Sequence, residues 1–459
     1  MGETCPGYRD EWELVFRDQT THTIRRSKKK SAKVAASTKV ARSPLPAWDF
    51  APSLDEVGVN FFLQDFVTGG RSPSRGYLNY IPTVYSADAE QPTLIASMAA
   101  VGLVALATQQ PELVSHARAK YSEAIRLVNN ALASPVEAVK DSTLMSVISL
   151  GVFEHVSNFD SWVRHVKGAA ALVVARGKSQ FTNPASILMF NQVRADMSAA
   201  CVQTIQPFPD DMRELQEEAA KHIDTSSASW LVGVLSTRCI TLFADVTKNN
   251  VDTSESDFIP WSYFLEEAIA LQDDFQHALA LLAIQQPYTT TLGSSGDRDS
   301  IIYNGRYDLY ETAWAMRVWN NSRLLEIIVC EIVCWLINKV LTRESAPPGL
   351  THKKLQLKLQ QSLQVMSKLG EDILASVPQG LGYISMPESP KSPDSSCHAS
   401  VSGGYMLTWS LYTVGKSPVV NDKTRQWVIK RLQGIAKSSG IAMALELAQD
   451  IVKIDLRAS

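Results

Sequence analysis

The chain has 459 residues, about three times the commonest domain size, so we expect more than one lobe and a sizeable buried core. Apolar residues make up 45% and charged residues 20%, which excludes a wholly disordered chain, a fibrous repeat and a small disulfide scaffold. The formal net charge of −3 provides no overall attraction to nucleic acid or membrane.

Residues 1–47 form a segment of unusual charge. They lack sustained helical periodicity and end in the sequence SPLP, which is typical of a linker. No acidic residue occurs between Gln19 and Trp48, so we predict a disordered basic arm attached to an acidic body. The eight basic residues of this arm are Arg25, Arg26, Lys28, Lys29, Lys30, Lys33, Lys39 and Arg42.

The densest part of the arm, Arg25, Arg26, Lys28, Lys29 and Lys30, is compatible with three interpretations. It suits a nuclear-import signal, an arm that contacts phosphates, or a solvated tail. Composition does not separate them, because each needs only exposed Lys and Arg. Any DNA binding by this arm would be weak, independent of base sequence and sensitive to salt.

From Pro92 onward the sequence predicts one helix after another, and local signals mark several ends. Ser134 and Glu137 match a capping box, in which each side chain satisfies an unpaired N–H at the helix start. Asn183 followed by Pro184 predicts another start. Arg176 followed by Gly177 predicts a helix end.

Apolar spacing predicts the remaining body. Residues 142–153 carry apolar side chains on more than one face, as in a largely buried helix. Polar breaks near 286–300 and 385–402 predict two mobile loops. Because no convincing run of alternating strand residues occurs, we predict an all-α domain of about a dozen helices over residues 48–459. Later helices are expected at 311–341, 355–377, 405–414, 422–437 and 441–452.

Two apolar runs could be mistaken for membrane spans. Residues 94–107 are too few to cross a bilayer. Residues 324–341 are numerous enough but contain Glu326, Glu331 and Lys339, which would be costly in hydrocarbon. Both runs therefore predict core helices, and we expect no membrane partner. The polar N-terminus predicts no secretory signal peptide, so the scattered cysteines indicate reduced thiols in an intracellular protein.

One run of residues suggests enzyme chemistry. The standard dinucleotide, phosphate-loop, zinc-protease and serine-hydrolase motifs are missing. Asp210, Asp211 and Glu214 form a DDxxE run that is similar to the magnesium-binding segment of terpene cyclases, and a metal-dependent α-helical enzyme is the alternative function. The run follows Pro209, however, so acids in a first helical turn are expected from the helix dipole alone.

Two further groups of residues have the spacing or type of functional sites, and for both we favour a structural interpretation. Cys330 and Cys334 share a helix face, but their neighbours are apolar, so we predict ordinary core thiols. His155 and His165 lack an acidic partner at a fixed spacing, so we predict capping or hydrogen-bonded histidines.

A family resemblance begins at Cys5. Residues 5–10 read CPGYRD and residues 11–18 read EWELVFRD. This stretch resembles the segment that starts at the last cysteine of the six-cysteine zinc binuclear cluster of fungal transcription factors. Further fragments resemble that family's helical regulatory domain in the same order. They are residues 60–62, 80–85, 141–144, 150–154, 161–162, 165–169, 176–177, 375–378, 404–409 and 440–442.

The resemblance implies a nuclear transcription regulator with a helical regulatory domain, controlling a local gene set such as a secondary-metabolite cluster. Cys5 would then be an orphaned last zinc ligand, and one thiolate cannot build a site that needs four ligands per zinc. We therefore expect no cofactor in this chain, with zinc present only if an upstream extension restores the cluster. Without it, the protein would act through a protein partner or as a homodimer and would contact DNA indirectly.

Overall fold

The computed structural model describes residues 52–68, 76–87, 91–157, 159–251, 259–293, 301–343, 351–384 and 400–458. The chain divides into two compact units, residues 1–51 and 52–459. The first unit lies outside the described residues. The expectations for Cys5 and for the basic arm, including Arg25, Arg26, Lys28, Lys29 and Lys30, therefore concern residues that the structure does not describe.

The described part of the second unit confirms the all-α prediction. It contains sixteen α-helices, more than the dozen expected, and one two-stranded sheet. In chain order these elements are α1 Leu54–Asp65, α2 Ile81–Ala87, α3 Pro92–Leu106, α4 Val114–Leu132, α5 Pro135–Ala138, α6 Asp141–Ser157, α7 Phe159–Arg176, α8 Pro184–Thr204, α9 Asp210–Ala219, α10 Ala228–Val251, α11 Trp261–Gln285, β1 Tyr288–Leu292, β2 Arg306–Tyr310, α12 Ala313–Arg343, α13 His352–Gly380, α14 Val401–Lys416, α15 Asp422–Ser439 and α16 Ala442–Ala458.

Local signals set several helix ends as predicted. The Asn183 side chain accepts a hydrogen bond from the backbone N–H of Ala185 at 3.0 Å at the start of α8. Gly177 follows α7 with a φ of +67°, a conformation that side-chain-bearing residues rarely adopt. Ser134 accepts from the backbone N–H of Glu137, but the helix it caps, α5, is only 4 residues long. A cap thus marks where a helix starts and carries no information about its length.

The expected loop near 286–300 is wrong in its first half, where β1 pairs antiparallel with β2. Three consecutive threonines, residues 289–291, favour extended backbone because they are β-branched. The Gln379 side chain of α13 then holds the hairpin, donating to the carbonyl of Tyr310 and accepting from its N–H, each at 2.7 Å. At the second expected loop, residues 385–399 lie outside the described part of the chain, and α14 already begins at Val401.

The long helix α12 organises the packing, because it contacts α10, α11, α13 and α14. Its apolar residues 324–341 lie in the core, as do most of the residues of α3, so the two core-helix predictions are confirmed. Within the described residues, only the stretch Ala228–Asn250 of α10 is long and apolar enough to cross a membrane by length and composition. More than half of its apolar window, 56%, is buried inside the structure.

Candidate functional site

Helices α7, α8, α10, α12 and α14 contribute side chains to the lining of a cavity of about 530 Å³. Helix α8 packs on α10, α10 packs on α12, and α12 packs on α14. Each of these helices contributes side chains to the cavity lining. Small-molecule sites in proteins typically have volumes of roughly 300–1,000 Å³. We therefore treat this cavity, which we call the central cavity, as the candidate functional site.

Most of the central cavity is lined by apolar and aromatic side chains. Trp230 of α10, Trp314 of α12 and Trp409 of α14 provide large aromatic surfaces, and Leu188 and Ile328 are among the aliphatic residues. Such a lining favours an apolar molecule, because water gains few hydrogen bonds there. Polar side chains interrupt this lining, and the buried charged ones among them determine what the cavity can recognise.

Arg194 is the most unusual of these polar groups. It lies on α8, is only 3% exposed, and lines the cavity. Its Nη1 donates to Oε1 of Gln216 at 3.0 Å, and its Cζ lies 4.3 Å from the centre of the Trp230 ring. No carboxylate among the described residues forms an ion pair with it. Burial alone lowers the pKa of Arg194 from 12.5 to about 9, because no neighbouring acid offsets the loss of water.

Arg317 of α12, also in the lining, has the partners that Arg194 lacks. Its Nη1 donates to Oε1 of Gln192 at 2.6 Å, and its Nη2 lies 3.7 Å from Oδ1 of Asp196. Gln192 in turn donates to both carboxylate oxygens of Asp196, at 2.9 and 2.8 Å. Burial raises the pKa of Asp196, and the charge of Arg317 and the Gln192 hydrogen bonds oppose that rise. The positive charge of Arg317 is thus balanced within the protein.

Two smaller polar groups lie on the same face of α8 as Arg194. Asn191 is three residues before it and Ser198 four residues after it, and both line the cavity. The side-chain oxygen of Asn191 and the hydroxyl of buried Ser198 make no hydrogen bond within the described part of the chain. Besides Asp196, a second acid in the lining, Asp224, is exposed, and its carboxylate accepts from the N–H and the hydroxyl of Ser226.

A glycine makes room for the Arg194 guanidinium. A Cβ atom built on Gly233 of α10 would overlap Nη2 and Cζ of Arg194. Glycine in a helix interior costs roughly 1 kcal/mol relative to alanine. The position of the guanidinium in the cavity therefore depends on a residue of the facing helix that is unfavourable for helix formation.

The DDxxE run lies apart from this cavity. Asp210, Asp211 and Glu214 are exposed in the first turns of α9, and none of them lines the cavity. Asp210 pairs with Arg213, and Asp211 accepts from the N–H of Met212 at 2.7 Å. Among the described residues, no group of three or more His, Cys, Asp or Glu could hold a metal ion. The geometry therefore gives no support to a magnesium site here.

The two neighbouring cysteines lie in ordinary packing. Cys330 is buried and accepts from Nε2 of Gln272 at 3.0 Å, and burial raises the pKa of its thiol. Cys334 is half-buried, and burial raises the pKa of its thiol to about 11. Both are free thiols, and their burial makes them less reactive.

His165 takes part in a hydrogen-bonded contact between helices. Its Nε2 lies 3.0 Å from the hydroxyl of Tyr121, which also donates to Oε1 of Glu154. Burial lowers the pKa of His165, and these contacts join α4, α6 and α7. The expectation of a hydrogen-bonded histidine is confirmed for His165, whereas the side chain of His155 lies outside the described residues.

Comparison with known proteins yields no match. No family model fits the chain, and neither a curated protein nor a solved structure is significantly similar to it. The resemblance to fungal zinc-cluster regulators therefore stays a prediction from the sequence. The residues of the central cavity, Arg194 above all, are not marked by any motif. The feature of the sequence that could have pointed to Arg194 is its position between Asn191 and Ser198 on one face of a helix that is otherwise largely apolar.

Proposed function

We propose that the chain is a transcription regulator of the fungal zinc binuclear cluster family. It acts in the nucleus through its helical domain, with a protein partner or as a homodimer, and controls a local gene set such as the genes of a secondary-metabolite pathway. The observation that carries this proposal is the CPGYRD segment that begins at Cys5 and continues into an aromatic linker.

The helical body supports the proposal in two ways. Its all-α architecture is the one that the resemblance implies for the regulatory domain. In addition, two resembling segments that are far apart in sequence, residues 161–162 and 404–409, supply side chains to the same cavity. These side chains are Trp162, Tyr405, Met406 and Trp409.

The number of zinc-ligating cysteines decides how this regulator would contact DNA. Cys5 is the only cysteine in this sequence at the position of the cluster, and one thiolate holds no zinc site. Within the residues of this sequence, DNA contact would therefore go through the partner or, weakly, through the basic arm. The enzyme alternative based on Asp210, Asp211 and Glu214 is favoured by no specific observation.

Nuclear import provides the first test. We expect a fluorescent fusion of the full chain to accumulate in the nucleus of a fungal cell. Replacing Arg25, Arg26, Lys28, Lys29 and Lys30 together by Gln should return it to the cytoplasm, because import receptors recognise clustered positive charge. The matched control replaces the remaining three basic residues of the arm, Lys33, Lys39 and Arg42, and should leave the fusion nuclear.

Transcriptional activity provides the second test. The full chain is fused to an unrelated DNA-binding domain and placed at a reporter promoter in the same cells. A change in reporter transcription in either direction, relative to the DNA-binding domain alone, supports the proposal. A fusion that stays cytoplasmic and a reporter that does not change would together overturn it.

A further inference from the structure

The central cavity contains a positive charge that the described protein does not balance. Arg194 is almost fully buried, and its only hydrogen bond to a described residue is to the neutral side chain of Gln216. Burying a cation without a countercharge is unfavourable, because the lost hydration is not replaced. An anion seated beside the guanidinium would remove that penalty, and such charge-assisted hydrogen bonds are about twice as strong as neutral ones.

The rest of the lining indicates what kind of molecule would carry this anionic group. The Trp230 ring packs against the guanidinium and continues into an aromatic and aliphatic surface that includes Trp314, Leu188 and Ile328. A cavity of about 530 Å³ with this lining accepts a drug-sized apolar body. The hydroxyl of Ser198, one turn of α8 from Arg194, supplies a further unused hydrogen-bonding group.

We propose that the central cavity is a binding site for a small apolar carboxylic acid, whose carboxylate pairs with Arg194 while its hydrocarbon or aromatic body fills the space between α8, α10, α12 and α14. The planar guanidinium matches the planar carboxylate in geometry as well as in charge. This site goes beyond the proposed transcriptional role and does not depend on it.

The charge balance of the lining selects a monoanion. Arg317 is already neutralised by Asp196, and Asp224 adds a negative charge at an exposed position of the lining. A phosphate or other multiply charged anion would face these two acids with only one cation to hold it. Neutral analogues, in contrast, would leave the Arg194 guanidinium buried and uncompensated.

The test measures whether binding depends on the carboxylate. Three apolar acids of increasing size (2-naphthoate, decanoate and 1-pyrenebutyrate) are titrated into the purified full chain, each beside the alcohol that replaces its carboxylate. Quenching of tryptophan fluorescence reports occupancy, since four tryptophans line the cavity. We expect at least one acid to bind about 10–100-fold more tightly than its alcohol, as expected for hydrogen bonds to charged groups.

Two variants locate this preference at Arg194. Arg194→Met removes the charge, and Gly233→Ala displaces the guanidinium while favouring the helix. Both should reduce the preference for the acid to less than about threefold, which is below the contribution of one charged hydrogen bond. Arg238→Met is the matched control, because Arg238 lies on α10, is exposed and pairs with Asp274 outside the cavity.

Three results would overturn the site. In the first, none of the acids binds the parent chain. In the second, acids and alcohols bind equally. In the third, the preference persists in a folded Arg194→Met or Gly233→Ala protein, with folding checked by circular dichroism. All of these measurements use the isolated protein, so they are independent of import and reporter results.

Discussion

Two buried arginines, Arg194 and Arg323, show how differently one residue type can be used in the same core. Their exposed fractions are 3% and 1%. Nη1 of Arg323 donates to the hydroxyl of Tyr310 at 2.6 Å, to Oδ1 of Asn320 at 3.2 Å and to the carbonyl of Asp372 at 3.3 Å. Arg323 thereby joins α12 to β2 and α13, whereas Arg194 borders a cavity and, among the described residues, donates only to Gln216.

The two side chains also differ in their proton affinity. Burial favours the neutral form of both side chains. For Arg323, electrostatic interactions with Tyr310, Tyr288 and Asp372 outweigh burial and raise the pKa above its ordinary value. For Arg194 no group among the described residues opposes burial, and the pKa falls to about 9. Burial by itself therefore does not show whether an arginine is structural or available to a ligand. The groups that interact with its guanidinium make that distinction.

The largest effect is expected for Arg323→Met. This change removes the donor that the Tyr310 hydroxyl and the Asp372 carbonyl share, and it loosens the hairpin from α13. We expect a loss of about 3 kcal/mol in the free energy of unfolding, as is typical when a buried hydrogen-bond network is broken. Urea unfolding followed by circular dichroism measures it. A loss as small as that of the exposed control Arg238→Met would contradict the structural role.

A pH-dependent effect of intermediate size is expected at Glu326, one turn from Arg323 on α12. Burial raises the pKa of Glu326 from 4.5 to about 7, although Gln276 and two lysines oppose the rise. Between these values the folded state retains a proton that the unfolded state releases. This contribution to stability is therefore complete below about pH 4.5 and is lost as the pH rises through about 7.

The variant Glu326→Gln removes this titration. Relative to Glu326→Gln, the parent should lose about 2 kcal/mol of stability between pH 4.5 and pH 7.5. Urea unfolding across that range measures the difference. Glu266→Gln, at an exposed position of α11, is the control for removing a glutamate that does not lie in the core. A parent whose stability changes with pH in parallel with Glu326→Gln would show that Glu326 does not titrate in this window.

The smallest effect is expected for Arg194→Met. Because an unbalanced buried charge is replaced by an apolar side chain of similar length, the stability should change by less than about 1 kcal/mol in either direction. Thermal unfolding without ligand measures this. If Arg194→Met were as destabilising as Arg323→Met, the comparison between the two arginines would fail and Arg194 would be a structural residue.

The same comparison shows why the sequence alone does not predict the roles of the two arginines. In sequence, Arg194 and Arg323 look alike, since each is a cation within a long, largely apolar helix. Their difference comes from Gln216, Trp230 and Gly233 in one case and from Tyr310 and Asp372 in the other. These partners lie on other elements, and no periodicity within one helix contains them.

The sequence by itself determined the all-α class, the burial of the long apolar helices and several helix ends. These features depend on interactions within about four residues, such as the Asn183 cap and the glycine after α7. Tertiary structure alone decided the β1–β2 hairpin, the central cavity and the roles of the buried charges. The hairpin depends on Gln379, which lies 69 residues from Tyr310. The cavity exists only where helices that are far apart in sequence pack without filling the space between them.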